Sequence, residues 1–231
     1  MAVIDIYISR HGQTDANASA LMQGGLIDPP LNEVGIRQAE ALASAMKGEN
    51  LDLVVASGLE RSIKTVKAVV KHQEHAEYLS DPRLNDISWG ELEGAKAAEV
   101  KPEVNEVIQA WKKGNFDAKV RGGESPNEVK ARFLAAFTDM IKIAQEKKYS
   151  KVFTCIHGRI MRVIMATLID KDLLTMQRFS HTNCCYHHLR VEVDDDTVVD
   201  PENLKFELVR MDVRDHLAEL AEVEPTDCRQ L

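Results

Sequence analysis

The chain alternates short apolar runs, typical of buried β-strands, with longer stretches in which apolar residues recur at helical spacing. The apolar runs cover residues 3–9, 51–56, 78–79 and 152–156. The helical stretches lie at 32–47 and 60–70, in pieces between 95 and 113, at 126–147 and after residue 157. This alternation predicts an α/β protein with strands and helices packed around one sheet.

Two local patterns refine this prediction. Ser125 precedes Pro126, and Glu128 follows three residues after the serine, which is the capping box of a helix start. Strand-like alternation at 184–193 and again at 204–210 predicts a closing hairpin. The aspartates 194–196 between them are expected to form its solvated turn.

The segment at about 82–123 is irregular and partly helical, and it is expected to form a small helical cap over a site. We see no Gly/Ser/Pro-rich linker or internal repeat, so residues 1–220 are predicted to form a single domain. The acidic end of the chain, 221–231, is predicted to be frayed.

Composition narrows the class of protein. Hydrophobic residues make up 44% of the 231 residues and aromatic residues only 5%, so the core must be mostly aliphatic. The sequence shows no apolar stretch of membrane-spanning length and no secretory signal, which favours a cytoplasmic protein without a membrane partner. The net charge of −8 argues against nucleic-acid binding and requires a local cationic cleft for any anionic substrate.

The four cysteines lack the spacing of a zinc or redox site and are expected to be reduced thiols. They are Cys155, Cys184, Cys185 and Cys228. Cys155 lies two residues before His157, yet a thiol within a buried strand is by default structural.

Two histidines follow strand-like runs. Arg10-His11-Gly12 ends the first run, and His157-Gly158 ends the run at 152–156. The carboxyl ends of strands form the edge at which α/β sheets bind ligands. If the two strands are neighbours, both imidazoles can converge on one anion, with Arg10 beside them to neutralise its charge.

Further motifs lie between these two histidines. They are Gln13-Thr14 with Asn17, Gln23-Gly24, Leu31-Asn32-Glu33-Val34-Gly35 with Gln38-Ala39, Ser57-Gly58-Leu59-Glu60-Arg61-Ser62 with Thr65, Leu84-Asn85-Asp86 with Gly90 and Glu93-Gly94, and Gly123-Glu124-Ser125. Over roughly residues 3–190 the set resembles the histidine phosphatase superfamily, also called the phosphoglycerate mutase-like family. Together with the alternation it predicts a three-layer α/β/α sandwich with a mostly parallel central sheet.

The resemblance implies a reaction in which His11 attacks phosphorus and becomes a phosphohistidine. Arg10, Arg61 and His157 would surround the phosphoryl oxygens. Asp86 falls at the position of the proton donor. The implied contacts to a small phosphomonoester come from Arg10, Asn17, Gln23, Gly24, Arg61 and Gly158, with no metal and no cofactor.

Two positions depart from the commoner family pattern. Asp86 stands where most similar members carry Glu, and the shorter side chain makes Glu91 and Glu93 alternative proton donors. Arg159 replaces the small residue that often follows the second His-Gly pair. Its guanidinium either binds a second anionic group of the substrate or points to solvent.

Three functions remain open at this point. A phosphomonoester hydrolase is favoured. A cofactor-dependent phosphoglycerate mutase would share the nucleophile, but the tryptophan-rich stretch of such enzymes has no counterpart, since residues 13–30 contain no Trp. A catalytically silent module that binds a phosphorylated ligand is supported only by Asp86.

Two further questions concern metals and assembly. The histidines His181, His187 and His188 resemble a metal cluster, but adjacent strand residues point to opposite faces, which argues against a metal site. A homodimer is compatible with the sequence, which does not fix the oligomeric state.

Overall fold

The computed structural model describes residues 2–194 and 199–220. Six strands form one sheet in the order β3-β2-β4-β1-β5-β6. They are β1 (Ala2–Arg10), β2 (Leu53–Ser57), β3 (Glu77–Asp81), β4 (Lys151–Ile156), β5 (Tyr186–Val193) and β6 (Phe206–Val213). The first four are mutually parallel, whereas β5 pairs antiparallel with β1 and with β6. The predicted mostly parallel sheet is therefore confirmed, and so is the closing hairpin.

Helices cover both faces of the sheet. They are α1 (Asp15–Ala18), α2 (Glu33–Met46), α3 (Glu60–Val70), α4 (Ala97–Lys112), α5 (Pro126–Lys147) and α6 (Gly158–Met165). A π-helical turn, Ala166–Asp170, continues α6, and 3₁₀ turns occupy Pro82–Leu84, Gly90–Leu92, Leu173–Arg178 and Asp215–Leu220. None of the helices in the described ranges is long and apolar enough to cross a membrane.

The strands build two cores because successive side chains point to opposite faces. In β1, Ile4, Ile6 and Ile8 join the core beneath α5 and α6, whereas Tyr7 joins the core beneath α2 and α3. Phe153 in β4 shares that second core. Such near-continuous burial on both faces is typical of central parallel strands.

Most element boundaries lie within two residues of the sequence prediction, and the capping box at Ser125 is formed. The strand predicted from residue 184 begins only at Tyr186, since Cys184 has a positive φ of 56°, which lies outside the β region. The last strand extends beyond residue 210 to Val213. The turn aspartates 195 and 196, the tail 221–231 and Cys228 lie outside the described residues.

The loop after β1 rests directly on the first turn of α2. A Cβ on Gly35 would lie 2.0 Å from the carbonyl oxygen of Gln13, and one on Gly12 would lie 2.4 Å from the carbonyl oxygen of Gly35. The Asn32 side chain caps this helix by accepting from the Gly35 N–H at 2.9 Å. Two glycines therefore permit the backbone contact that holds the residues after His11 in place.

Gly35→Ala should lower the free energy of unfolding by about 1–3 kcal/mol, because the added methyl group forces two backbone segments apart. Gly48→Ala is the matched control, since nothing lies within 4 Å of a Cβ at that position. Urea denaturation of both variants measures the difference. Equal stability of the two variants would contradict the close contact.

Candidate active site

His11 and His157 directly follow two neighbouring strands at the same edge of the sheet. Strands β1 and β4 are parallel neighbours with Arg10 opposite Ile156, so His11 and His157 follow at the same level. Their ring centroids lie 5.0 Å apart, and both side chains are buried. The register of one strand pair thus places both imidazoles at the same edge.

His11 is held in one tautomer. Its Nδ1 lies 2.7 Å from the carbonyl oxygen of Gly12. Because a carbonyl oxygen only accepts hydrogen bonds, Nδ1 carries the proton and Nε2 keeps a free electron pair. Burial and the charges of Arg61 and Arg10 hold the pKa of His11 well below its usual value. The ring is therefore neutral near pH 7, with an electron pair available on Nε2.

Arg61 lies in the first turn of α3, and its side chain is completely buried. Its Nη2 donates to the carbonyl of Gly24 at 2.8 Å, and its Nη1 donates to the carbonyl of Ile27 at 2.9 Å. An ion pair of 3.1 Å joins Nη1 to Asp28. The loop at 24–28 therefore fixes the guanidinium from one side.

His157 contacts the same guanidinium. Its Nδ1 accepts from Nε of Arg61 at 3.2 Å, so its Nε2 carries the proton and donates to Oγ of Ser57 at 2.8 Å. Burial and the nearby Arg61 charge hold the pKa of His157 well below its usual value. A second neutral imidazole therefore lies beside His11.

Arg10 presents an unpaired donor. Its Nη1 donates to the carbonyl of His181 at 2.6 Å, whereas its buried Nε has no hydrogen-bond partner within the described ranges. A Cβ at Gly158 would lie 3.3 Å from this Nε, so the glycine leaves the approach to it open. A buried donor without a partner is costly, and an anionic ligand would satisfy it.

Asp86 lines the same pocket and is buried. Its Oδ1 accepts from the N–H groups of Ile87 at 3.0 Å and Ile160 at 3.4 Å. Burial raises the pKa of Asp86 above its usual value, although the charges of Arg61 and Arg10 act in the opposite direction. A carboxyl group that retains its proton more strongly suits a proton donor.

The two alternative carboxylates are engaged elsewhere. Glu91 forms an exposed ion pair of 3.1 Å with Arg121. Glu93 accepts from the N–H groups of Leu26, Ile27 and Trp89 at 2.8–2.9 Å. Neither side chain lines the pocket. Glu93 instead connects the cap segment to the loop that holds Arg61.

The pocket is a half-open cavity of about 90 Å³. Of the predicted site residues, those that line it are Arg10, His11, Asn17, Gln23, Asp86 and Gly158. Arg61, His157 and the Gly24 carbonyl lie behind this lining and connect to it through hydrogen bonds. The structure therefore brings together every predicted site residue, in two layers.

Sequence reasoning missed the residues that form the rest of the wall and its support. Leu21, Met22, Trp89 and Val104 add an apolar side to the pocket. Asn183 donates to the His11 carbonyl at 3.0 Å and to Asn17 at 3.2 Å. Trp89 is next to Gly90 in the predicted cap. This position was the one sequence signal that could have identified Trp89 as a pocket residue.

Arg159 does not point to solvent, which corrects one of the two expectations for it. The residue is only 9% exposed and lines the pocket. Its guanidinium carbon lies 5.7 Å from the centroid of the Trp89 ring, within the range of a cation–π contact.

The three clustered histidines have separate environments. His181 lines the pocket, His187 lies 3.2 Å from the Ser180 carbonyl, and His188 lies 2.8 Å from Asp5. Across residues 2–194 and 199–220, no three His, Cys, Asp or Glu side chains are grouped to hold a metal ion. Cys155 is buried, and burial raises the pKa of its thiol to about 12.

Comparison with known proteins identifies the family. The family model of the histidine phosphatase superfamily (branch 1) matches residues 6–203, and the chain belongs to this superfamily. A Yersinia pestis (strain Pestoides F) protein named "Probable phosphoglycerate mutase GpmB" is 28% identical over 182 residues, which are 79% of this chain and 82% of that protein.

Solved structures show the same fold. A protein described as mycobacterial hydrolase 2 superposes with a TM-score of 0.80 at 23% identity, covering 96% of this chain and 98% of its own. A mycobacterial glucosyl-3-phosphoglycerate phosphatase gives 0.76 at 23% identity, covering 91% and 99%. A phosphoglycerate mutase from Bacillus anthracis str. Sterne gives 0.78 at 19% identity, covering 94% and 96%.

The buried neutral histidines should make the fold sensitive to mild acid. The pKa values of His11 and His157 are lower in the folded state than in the unfolded chain, so the unfolded chain binds more protons below pH ~6.5. Stability is therefore present above pH ~6.5 and falls as the pH drops, by ~1.4 kcal/mol per unit for each such histidine.

Urea denaturation at pH ~7.5 and ~5.5 measures this loss, which His11→Asn should reduce by ~1.4 kcal/mol. His75→Asn, at an exposed position, is the control and should leave the loss unchanged. An unaltered pH dependence in His11→Asn would show that His11 is protonated equally in both states.

Proposed function

We propose that the protein is a phosphomonoester hydrolase that acts through a phosphohistidine on His11. Membership of the superfamily supports a phosphatase or a mutase. The geometry of the pocket supports the more specific proposal that His11 forms a phosphohistidine. The observation that carries it is the His11 ring, which is neutral, fixed through Nδ1 by Gly12 and flanked by Arg10 and Arg61.

In the first step, Nε2 of His11 attacks phosphorus and the bond from phosphorus to the ester oxygen breaks. Arg10 and Arg61 offset the negative charge on the phosphoryl oxygens, which spreads in the transition state. Asp86 gives its proton to the leaving oxygen, so that an alcohol departs and a carboxylate remains.

In the second step, water attacks the phosphohistidine. The Asp86 carboxylate takes one proton from this water, which restores the carboxyl group, and the bond between His11 and phosphorus breaks. Inorganic phosphate leaves and His11 returns to its neutral state. His157 keeps Arg61 aligned through its Nδ1 and adds no charge of its own.

A phosphoglycerate mutase is the second candidate, favoured by the name of the Yersinia pestis relative. A mutase returns the phosphoryl group to a second hydroxyl instead of water. Stimulation of isomerisation by a bisphosphate would support this candidate, whereas phosphate release from a generic aryl phosphate supports hydrolysis. A module that only binds a phosphorylated ligand would show neither activity.

His11→Ala should abolish turnover, because the variant lacks the Nε2 atom on which the proposed covalent intermediate forms. Acid-quench labelling should find an acid-labile phosphoryl group on His11 in the wild type and none in the variant. If His11→Ala keeps more than about a hundredth of the activity while remaining folded, the assignment of the nucleophile is wrong.

Asp86→Asn should slow hydrolysis of an alkyl phosphate by about 10²–10⁴-fold, because the alkoxide leaving group needs a proton. An aryl phosphate should be affected much less, since a phenolate leaves with little help. Steady-state rates on the two substrates measure the contrast, and a folding defect would depress both equally.

Glu91→Gln is the matched control for this experiment, because that carboxylate is exposed and paired with Arg121. It should leave both rates unchanged. Equal losses on the two substrates in Asp86→Asn, or the selective loss in Glu91→Gln, would remove Asp86 from the role of proton donor.

A further inference from the structure

The proposed proton donor lies on a segment that is neither helix nor strand. Asp86 belongs to the irregular residues 85–89, between the 3₁₀ turns Pro82–Leu84 and Gly90–Leu92. The polar backbone groups of such a segment need partners from other parts of the fold. An aspartate has a single methylene group between Cα and the carboxyl group, so its carboxyl group moves with the backbone. The contacts of this segment therefore determine where the Asp86 carboxyl group lies.

The guanidinium of Arg132, in the second turn of α5, supplies several of these partners. Its Nη1 donates to the carbonyls of Arg83 and Asn85, both at 2.7 Å, and its Nη2 donates to the carbonyl of Asp86 at 2.9 Å. The remaining donors, on Nε and Nη2, contact the two carboxylate oxygens of Glu124 at 2.8 and 2.9 Å. All five N–H donors of the guanidinium thus have an acceptor, and three of these acceptors are carbonyls at or just before Asp86.

Glu124 holds the other end of the same segment. Its Oε2 accepts from the N–H of Ser88 at 2.9 Å, and its own N–H donates to the Ser88 carbonyl at 2.8 Å. The side chains of Glu124 and Arg132 are mostly buried, and two parallel charge-assisted hydrogen bonds give such a pair a defined geometry. Arg132 and Glu124 together form a clamp that holds the backbone on both sides of Asp86.

The two carboxyl oxygens of Asp86 have different environments. Oδ1 accepts from the N–H groups of Ile87 and Ile160, and an oxygen that accepts from these donors is not the one that carries a proton. The proton of the neutral carboxyl group therefore lies on Oδ2. Proton transfer requires Oδ2 to lie about 2.6–3.2 Å from the leaving oxygen. A displacement of about 1 Å can reduce a rate by about 100-fold, so the position of the segment matters for this step.

Arg132 reaches Asp86 through the backbone and not through the pocket. Asp86 lines the pocket, whereas Arg132 is absent from the lining that the described residues form. The largest effects of charge on the pKa of Asp86 come from Arg61 and Arg10. The Arg132 charge contributes to the lowered pKa of His157, and a lysine at position 132 would preserve that charge. The hydrogen bonds of Arg132 to the segment therefore concern position.

We propose that Arg132 is a positioning residue, which holds the Asp86 carboxyl group where its Oδ2 proton reaches the leaving oxygen. This inference rests on the proposed function, in which Asp86 is the proton donor. As the bond from phosphorus to the ester oxygen breaks, the proton passes from Oδ2 to that oxygen and a carboxylate remains on Asp86. Arg132 keeps all of its protons. Loss of this arginine should therefore resemble loss of the acid.

The test uses Arg132→Lys, which keeps the positive charge but replaces the planar guanidinium with an ammonium group whose donors share one nitrogen atom. The measured quantity is kcat/KM for an aryl phosphate divided by kcat/KM for an alkyl phosphate. Each kcat/KM covers the steps up to departure of the leaving group, and their ratio does not depend on the active fraction. Arg132→Lys should raise this ratio by about 10- to 100-fold, because the alkyl ester depends on the acid much more than the aryl ester does.

Arg178→Lys is the matched control. This half-exposed arginine forms the same type of two-atom contact with a carboxylate, Asp170, but it lies in the 3₁₀ turn Leu173–Arg178. Its ratio should stay within about threefold of the wild-type value, as is usual for a surface substitution.

Glu124→Gln tests the clamp from its other side, and it keeps the test valid if Arg132→Lys does not fold. A glutamine offers one acceptor oxygen where the carboxylate offers two, so it cannot satisfy Nε and Nη2 of Arg132 together with the N–H of Ser88 as the glutamate does. This variant should also raise the ratio.

A double variant shows whether the effect passes through Asp86. When Arg132→Lys is added to Asp86→Asn, the ratio should stay within about threefold of its value in Asp86→Asn alone, because an absent acid cannot be displaced. A further rise in the double variant would overturn the proposal. An unchanged ratio in folded Arg132→Lys would overturn it as well, and so would an unchanged ratio in Glu124→Gln if Arg132→Lys does not fold.

Failure of the proposed function has a different signature. The wild type would then release no phosphate from either substrate, or Asp86→Asn alone would leave the ratio at its wild-type value. In both cases the inference falls with the function on which it rests.

Discussion

The arrangement of the site depends on one completely buried cation, Arg61. Removing a guanidinium from water is expensive unless its donors are paired, and here two carbonyls, Asp28 and His157 meet that requirement. The carbonyls belong to the loop at 24–28, which Glu93 in turn ties to the cap segment. His157 and the loop are therefore connected through the contacts of a single side chain, and Glu93 extends this connection to the cap segment.

The positive charges of Arg61 and Arg10 lower the pKa of both His11 and Asp86, whereas burial acts on the two groups in opposite directions. Arg61 and Arg10 add to burial in lowering the pKa of His11, so the two effects cooperate to keep the ring neutral. At Asp86 the arginines oppose burial, and burial is the larger effect. One environment thus favours both an uncharged imidazole and an uncharged carboxyl group, which is the combination that the proposed phosphoryl transfer to His11 requires.

Much of this arrangement could be predicted from local patterns. Hydrophobic periodicity located β1, α3 and β4, and strand ends placed His11 and His157 because parallel strands share a carboxyl edge. The short helix α1 and the π-helical turn after α6 were missed, since neither is long enough to produce a periodic pattern. Tertiary contacts determine whether such short elements form.

The pocket wall was harder to predict than the candidate catalytic residues. Arg159 lies over Trp89, which packs against Trp111, a residue 22 positions further along the chain. Asn183 reaches His11 only because β5 lies antiparallel to β1. Long-range contacts of this kind leave no spacing signal in a single sequence, whereas a strand end or a capping box does.

NMR tests directly whether the environment holds the His11 ring neutral and in one tautomer. Long-range ¹H–¹⁵N correlation spectra of the protein labelled at histidine nitrogens, assigned with His11→Asn, report both charge and tautomer. At pH about 6, below the ordinary histidine pKa, His11 should be neutral with its proton on Nδ1. A cationic ring, or a proton on Nε2, would contradict the account.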